Sequence, residues 1–206
     1  MKIQTVLAAA LLAATALPAF AESEISLGYQ HYSADSAGRA DGAGLRYSGD
    51  YANGIEANLD LYTAEISGVE LTLTDADLSW KWRDVVGPKV AHYALSADGL
   101  GVDTTYAGLT VGMDVGGFTL GADALTNVRG LDDSQVYAVR AGWKGLSPLK
   151  MTAEVRHETS SDTTIGTLGA KYDVRQDVFL ESEYSTGETF GSFEADAAYV
   201  GVGFRF

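Results

Sequence analysis

Beyond residue 21 the sequence alternates apolar and polar residues stretch after stretch, and nowhere runs 18 apolar residues together. Residues 43–51 put Ala43, Leu45, Tyr47, Gly49 and Tyr51 on one face, with Gly44, Arg46, Ser48 and Asp50 on the other. In residues 149–158, Leu149, Met151, Ala153, Val155 and His157 oppose Lys150, Thr152, Glu154, Arg156 and Glu158. A period of two sends successive side chains to opposite faces of a strand. Helical membrane spans need about 20 apolar residues and are excluded. Two all-β outcomes remain. In a soluble sheet the apolar face lies in a core; in a transmembrane barrel it lies in lipid.

The first 21 residues form a separate unit. Lys2 precedes an apolar run from Val6 to Leu17, followed by Pro18 and the small-x-small sequence Ala19-Phe20-Ala21. The run is too short to span a bilayer and fits a cleaved secretory signal. The expectation is a signal peptide over 1–21 and one domain over 22–206. Cleavage removes Lys2 and no acid, leaving 13 basic against 28 acidic residues, about −15. That charge excludes nucleic acid as a partner, since phosphate binding needs Lys and Arg density. With no Cys and three scattered His there is no transition-metal cluster. His157-Glu158 lacks the second His of a zinc-protease helix, and Gly99-Leu100-Gly101 lacks a third Gly and a following helix. No metal, cofactor or catalytic residue is expected from these motifs.

The alternation predicts twelve strands, roughly 23–33, 42–52, 54–64, 69–83, 88–97, 102–113, 117–126, 135–144, 148–158, 163–174, 177–186 and 194–206. Every second link looks tight, at Asn53-Gly54, Gly87-Pro88, Gly116-Gly117, Ser147-Pro148 and Arg175-Gln176. The others are mostly longer and polar, as at 35–42, 96–101, 126–134 and 185–192. Short turns alternating with longer loops are a feature of outer-membrane barrels, the short turns lying at the periplasmic rim. Two strands are irregular. In 69–83 the apolar frame shifts, which predicts a β-bulge near Asp75; 88–97 alternates weakly. Ten strands is the alternative count.

With the termini at the periplasmic rim, the aromatics on the apolar face sort by end. Tyr51, Trp80, Trp82, Phe118, Trp143 and Tyr172 fall toward the inner rim. Tyr29, Tyr93, Tyr106, Tyr137 and Tyr184 fall toward the outer one. Two aromatic belts are expected where amphipathic rings meet lipid headgroups. The opposite face carries Arg46, Glu56, Asp60, Lys81, Arg83, Arg140, Lys144, Lys150, Glu154, Arg156, Lys171, Asp173, Glu181, Glu183 and Arg205. These are candidate pore-lining residues, with Arg140 and Glu154 placed to pair across one hairpin. Gly44, Gly121, Gly142, Gly169, Gly201 and Gly203 are expected to leave space on the wall.

With its export signal, alternating strands and final Tyr199–Phe206 stretch, the chain resembles the porin-like outer-membrane β-barrels of Gram-negative bacteria. The resemblance implies a closed antiparallel transmembrane β-barrel in the outer membrane. It also implies that Val200, Val202, Phe204 and Phe206 form the signal read by the outer-membrane assembly machinery. The partners implied are outer-membrane lipid, lipopolysaccharide and small hydrophilic solutes. The function expected is a porin-like passive channel, with a plugged structural barrel or a lipid-modifying hydrolase using His31 and Ser33 as the alternatives; nothing in the sequence sets an oligomeric state. His31-Tyr32-Ser33 is similar to the His-x-Ser arrangement of outer-membrane phospholipases and lipid A deacylases. With Ala43, Leu45 and Tyr47 on the neighbouring strand and Asp41 placed in a loop, no residue is expected to orient His31. A closed barrel requires residues 198–206 to ladder with 23–31.

Overall fold

The computed structural model describes residues 20–34, 38–51, 54–66, 69–83, 85–97, 100–130, 133–145, 148–189 and 193–206. Residues 1–19, which hold most of the expected signal peptide, lie outside these. Twelve strands follow one another: β1 (Phe20–Ala34), β2 (Gly38–Tyr51), β3 (Ile55–Ile66), β4 (Val69–Trp80), β5 (Val86–Ala97), β6 (Leu100–Val115), β7 (Phe118–Arg129), β8 (Gln135–Trp143), β9 (Leu149–Glu158), β10 (Thr163–Asp173), β11 (Val178–Thr189) and β12 (Phe193–Arg205). Each pairs antiparallel with its chain neighbours, and β12 returns to β1. The barrel is closed, so no strand edge is left with unpaired backbone groups.

The closing ladder runs from Glu24 opposite Arg205 to Ala34 opposite Ala195. Reciprocal backbone bonds complete it: Ser23 N–H donates to the Phe206 carbonyl at 3.0 Å, and Phe206 N–H donates to that of Ser23 at 2.9 Å. β1 begins at Phe20, and its pairing with β2 becomes regular from Glu22 onward.

Gly116 and Gly117 join β6 to β7 with φ of 58° and 88°. A two-residue turn with positive φ at both positions matches the twist of the flanking strands. The turn between β4 and β5 lies at residues 81–85, not at Gly87-Pro88, which fall inside β5. Proline gives no N–H to a ladder; the pairing of β5 to β4 ends beside it, at Ser79 opposite Lys89.

Three expectations about regularity are corrected. β4 pairs with β3 and β5 without a register shift, so there is no bulge at Asp75. Leu71 and Leu73 instead share the inward face with Asp75 and Asp77. The irregularity lies in the pairing of β6 with β7, where the register slips at Val128, between Thr105 opposite Arg129 and Tyr106 opposite Asn127. Finally, the stretches expected as long outer loops are largely strand. Residues 38–42 belong to β2, 126–129 to β7 and 185–189 to β11. The apolar pattern ends there, but ladder hydrogen bonds need no apolar face, so the strands run on.

Most of the large apolar side chains point outward. Leu27, Leu109, Leu120, Val139, Val155, Leu168, Val200 and Val202 are all exposed on the outer wall. The buried apolar cluster is small and lies inside the barrel: Ala91, Tyr106, Leu125 and Val136, with Tyr93 against it. An outer wall this apolar with a charged interior inverts the layout of a water-soluble barrel and matches a lipid-facing one.

Candidate functional site

The inward faces of all twelve strands line a cavity of about 960 Å³. It extends from Lys81, Gly112 and Gly142 near the end that carries the termini to Gly38, Leu71 and Leu95 near the other.

Its charges are organised in pairs. Near the termini, Lys171 bonds Glu24 and lies 3.9 Å from Glu181, while Arg205 lies 2.8 Å from Glu24 and 3.1 Å from Asp173. Lys81 Nζ donates to Glu56 at 2.6 and 2.7 Å. Further along, Arg140 grips Asp123 through two bonds of 2.5 and 2.7 Å, and Lys89 reaches the same carboxylate at 3.0 Å and Asp77 at 3.5 Å. Arg46 donates twice to Glu183, at 2.7 and 3.1 Å, and once to the Tyr62 hydroxyl at 2.7 Å. Two-pronged arginine contacts fix direction as well as charge.

One contact crosses the bore. Arg156 on β9 lies 3.7 Å from Asp75 on β4 and 5.0 Å from the centre of the Tyr93 ring on β5. β9 and β4 stand five strands apart in a ring of twelve, on nearly opposite walls. Arg156 therefore narrows the lumen without a folded-in loop.

The inward glycines do not leave bare wall. The Tyr199 ring lies over Gly28, Gly44 and Gly201, and the Phe179 ring over Gly203. A Cβ at Gly203 would stand 2.1 Å from Phe179 Cζ. Arg46 covers the other face of Tyr199 at 4.0 Å. Thr119 and Thr152 hydroxyls cover Gly142 and Gly169, and Arg140 lies against Gly121. Glycine here lets rings lie flat on the wall, which keeps the bore wider than rings projecting into it would.

Of the sequence-derived lining residues, Arg46, Glu56, Asp60, Lys81, Arg140, Glu154, Arg156, Lys171, Glu181 and Glu183 border the cavity. Arg140 faces Glu154 across the ladder at 3.9 Å, but its close partner is Asp123. Arg205, Asp173 and Lys150 gather at the inner end. Two expectations fail. Arg83 sits in the β4–β5 turn at a φ of 54°, with its guanidinium over the Trp82 ring. Lys144 lies just past the end of β8, more than half exposed and 3.0 Å from Asp114, outside the cavity lining. The residues missed were Glu24, Asp75, Asp77, Lys89 and Asp123. Asp123 shares parity with Gly121, which had been placed inside. Asp75 and Asp77 were obscured by the supposed bulge.

Trp80, Trp82, Phe118, Trp143 and Tyr172 project outward near the termini; Tyr51 at that end is half-buried. Tyr29, Tyr137 and Tyr184 project outward near the other end. Their hydroxyls donate to Asp41, Gln135 and Asp196, each farther from the middle of the barrel. Such rings set an apolar body toward the middle and a polar tip toward water. Tyr106 and Tyr93 are corrections. They point inward and stack edge-to-face at 5.8 Å, with the Tyr106 hydroxyl on Glu158 at 2.5 Å. Leu109, Val111 and Met113 set the outward parity of β6, and Tyr106 falls on the opposite one. Val200, Val202, Phe204 and Phe206 all point outward.

At the outer rim, His31 and Asp41 are register partners on β1 and β2, with His31 Nδ1 2.6 Å from the carboxylate. Asp41 is thus in a strand and does supply an orienting group for His31, contrary to expectation.

No family model and no curated protein matches this sequence. Solved structures do. A KdgM porin in complex with disordered oligogalacturonate is 15% identical, with 88% of this chain and 99% of that chain covered and a TM-score of 0.61. A NanC porin is 12% identical over 86% and 98%, with a TM-score of 0.61. An outer-membrane phospholipase dimer with bound calcium from Salmonella typhi is 12% identical over 88% and 90%, with a TM-score of 0.62. The fold is a closed, all-antiparallel, twelve-stranded β-barrel. It is the fold of these outer-membrane porins.

Proposed function

We propose that this protein is a passive channel of a Gram-negative outer membrane, exported by a signal peptide cleaved before Glu22 and inserted through its Phe206-terminated last strand. The observation that carries the reading is the cavity itself, bounded by every strand and walled by charged groups held in place by one another. Small hydrophilic solutes would cross by diffusion, with the paired charges setting which pass. The apolar outer wall between two aromatic belts is suited to the lipid and lipopolysaccharide of that membrane. The likeness in fold to porins, one of them in complex with an oligogalacturonate, supports hydrophilic solutes as the class that crosses.

Liposome swelling tests this reading. Vesicles holding the folded barrel should swell in small neutral sugars at rates that fall with sugar size. Swelling no faster than in empty vesicles would refute an open lumen and leave the plugged barrel.

A second reading rests on the His31–Asp41 contact. His31 and Ser33 share the outward face of β1 at the outer rim, and a carboxylate-oriented His beside a Ser is the layout of a base–nucleophile pair. Among the described residues His31 is joined to Asp41 and not to Ser33, which favours the channel. Phospholipid hydrolysis lost in Ser33→Ala would establish the enzyme; hydrolysis absent from the native protein, or unchanged in the variant, would remove it.

A further inference from the structure

We propose that the lumen selects for cations, favouring positively charged and neutral solutes over acidic ones; this rests on the channel reading above. The argument starts from a count. Among the side chains that line the cavity and point inward, six are Lys or Arg and nine are Asp or Glu, a net charge of −3. Asp196 borders the same space but turns outward to Tyr184 and is left out. At the inner end Arg205 and Lys150 add positive charge, both of them met by Asp173.

Pairing decides how that excess acts. No lining cation is left to attract anions. Arg46 is shared by Glu183 and Asp60, Lys89 by Asp77 and Asp123, Arg140 by Asp123 and Glu154, and Lys171 by Glu24 and Glu181. These four cations share seven carboxylates, Asp123 serving both Lys89 and Arg140, so the uncompensated charge is negative along the lumen. Asp60, Glu154 and Glu181 stand farthest from a cation, each at 3.9 Å, followed by Asp75 at 3.7 Å and Asp77 at 3.5 Å.

The wall is short of positive charge, which cationic solutes bring and carboxylated ones do not. The lumen thus differs in its preference from what an acidic oligosaccharide would need.

Reversal potentials across planar bilayers in a potassium chloride gradient test this. The native channel should show the sign of potassium preference, larger at 0.1 M than at 1 M salt, because the screening length falls from about 10 Å to about 3 Å. Asp60→Asn with Asp77→Asn should shift the potential toward zero, and Arg156→Gln should shift it the other way. A chloride-preferring native channel, or potentials that ignore all three substitutions, would overturn the inference while leaving the channel intact. Absence of conductance would instead overturn the channel, and the inference with it.

Discussion

Arginine in place of Val139 separates a lipid-embedded barrel from a water-soluble one. Val139 lies in the middle of β8, between Tyr137 and Trp143, and is 65% exposed on the outer wall. Its ladder partners are Ala122 and Val155, neither of which offers a counter-charge. In lipid, Arg near the middle of a barrel strand costs about 2–4 kcal/mol, falling to about 0–1 kcal/mol near the interface. Val139→Arg should therefore lower the folding equilibrium constant by roughly 30- to 900-fold. Val115 at the inner end of β6, paired with Phe118 and 53% exposed on the outer wall, is the control; Val115→Arg should cost about 0–1 kcal/mol. The assay is urea titration of the protein folded in phospholipid vesicles, followed by tryptophan fluorescence. All three tryptophans, Trp80, Trp82 and Trp143, report from the inner belt. Were the outer wall bathed in water, both substitutions would stay within about 0.5 kcal/mol, as surface changes do. Equal small effects at Val139 and Val115 would refute the lipid-facing assignment.

Other consequences follow from the lumen and the closing strand. Arg156→Ala removes the contact that spans the bore from β9 to β4 and should raise single-channel conductance; unchanged or lower conductance would show that the constriction lies elsewhere. Gly203→Val forces the buried Phe179 ring off the wall, an overpacking cost of about 1–3 kcal/mol that urea titration would read. A variant as stable as the native protein would mean the ring accommodates freely. Deleting Phe206 removes both reciprocal bonds to Ser23 and the terminal ring, and should lower the amount of folded protein in the outer membrane, measured by heat-modifiable gel mobility of membrane fractions; a native yield would rule out Phe206 as part of the assembly signal.

The strand count, the closure of β12 on β1 and the outward face of most strands were legible because lipid and lumen impose opposite demands at a period of two. The same rule explains the failures. Tyr106 looks like a belt residue by type, and only parity with Leu109 and Val111 places it inside. Leu71 and Leu73 read as lipid-facing because they are apolar, yet Asp75 and Asp77 on the same parity draw that face to the lumen. The wider strand ends were invisible, because backbone pairing continues past the lipid boundary with no hydrophobic trace. The partners of the lumen charges were beyond sequence altogether. Arg46 meets Glu183 across 137 residues and Lys171 meets Glu24 across 147, and these contacts exist only once β1 and β12 have closed the ring.

Single-channel recording from the purified, folded barrel in a planar bilayer tests the central claim most directly. An open lumen walled by paired charges predicts discrete, reproducible conductance steps that persist without any added ligand. A folded protein that inserts into the bilayer and passes no current would contradict it.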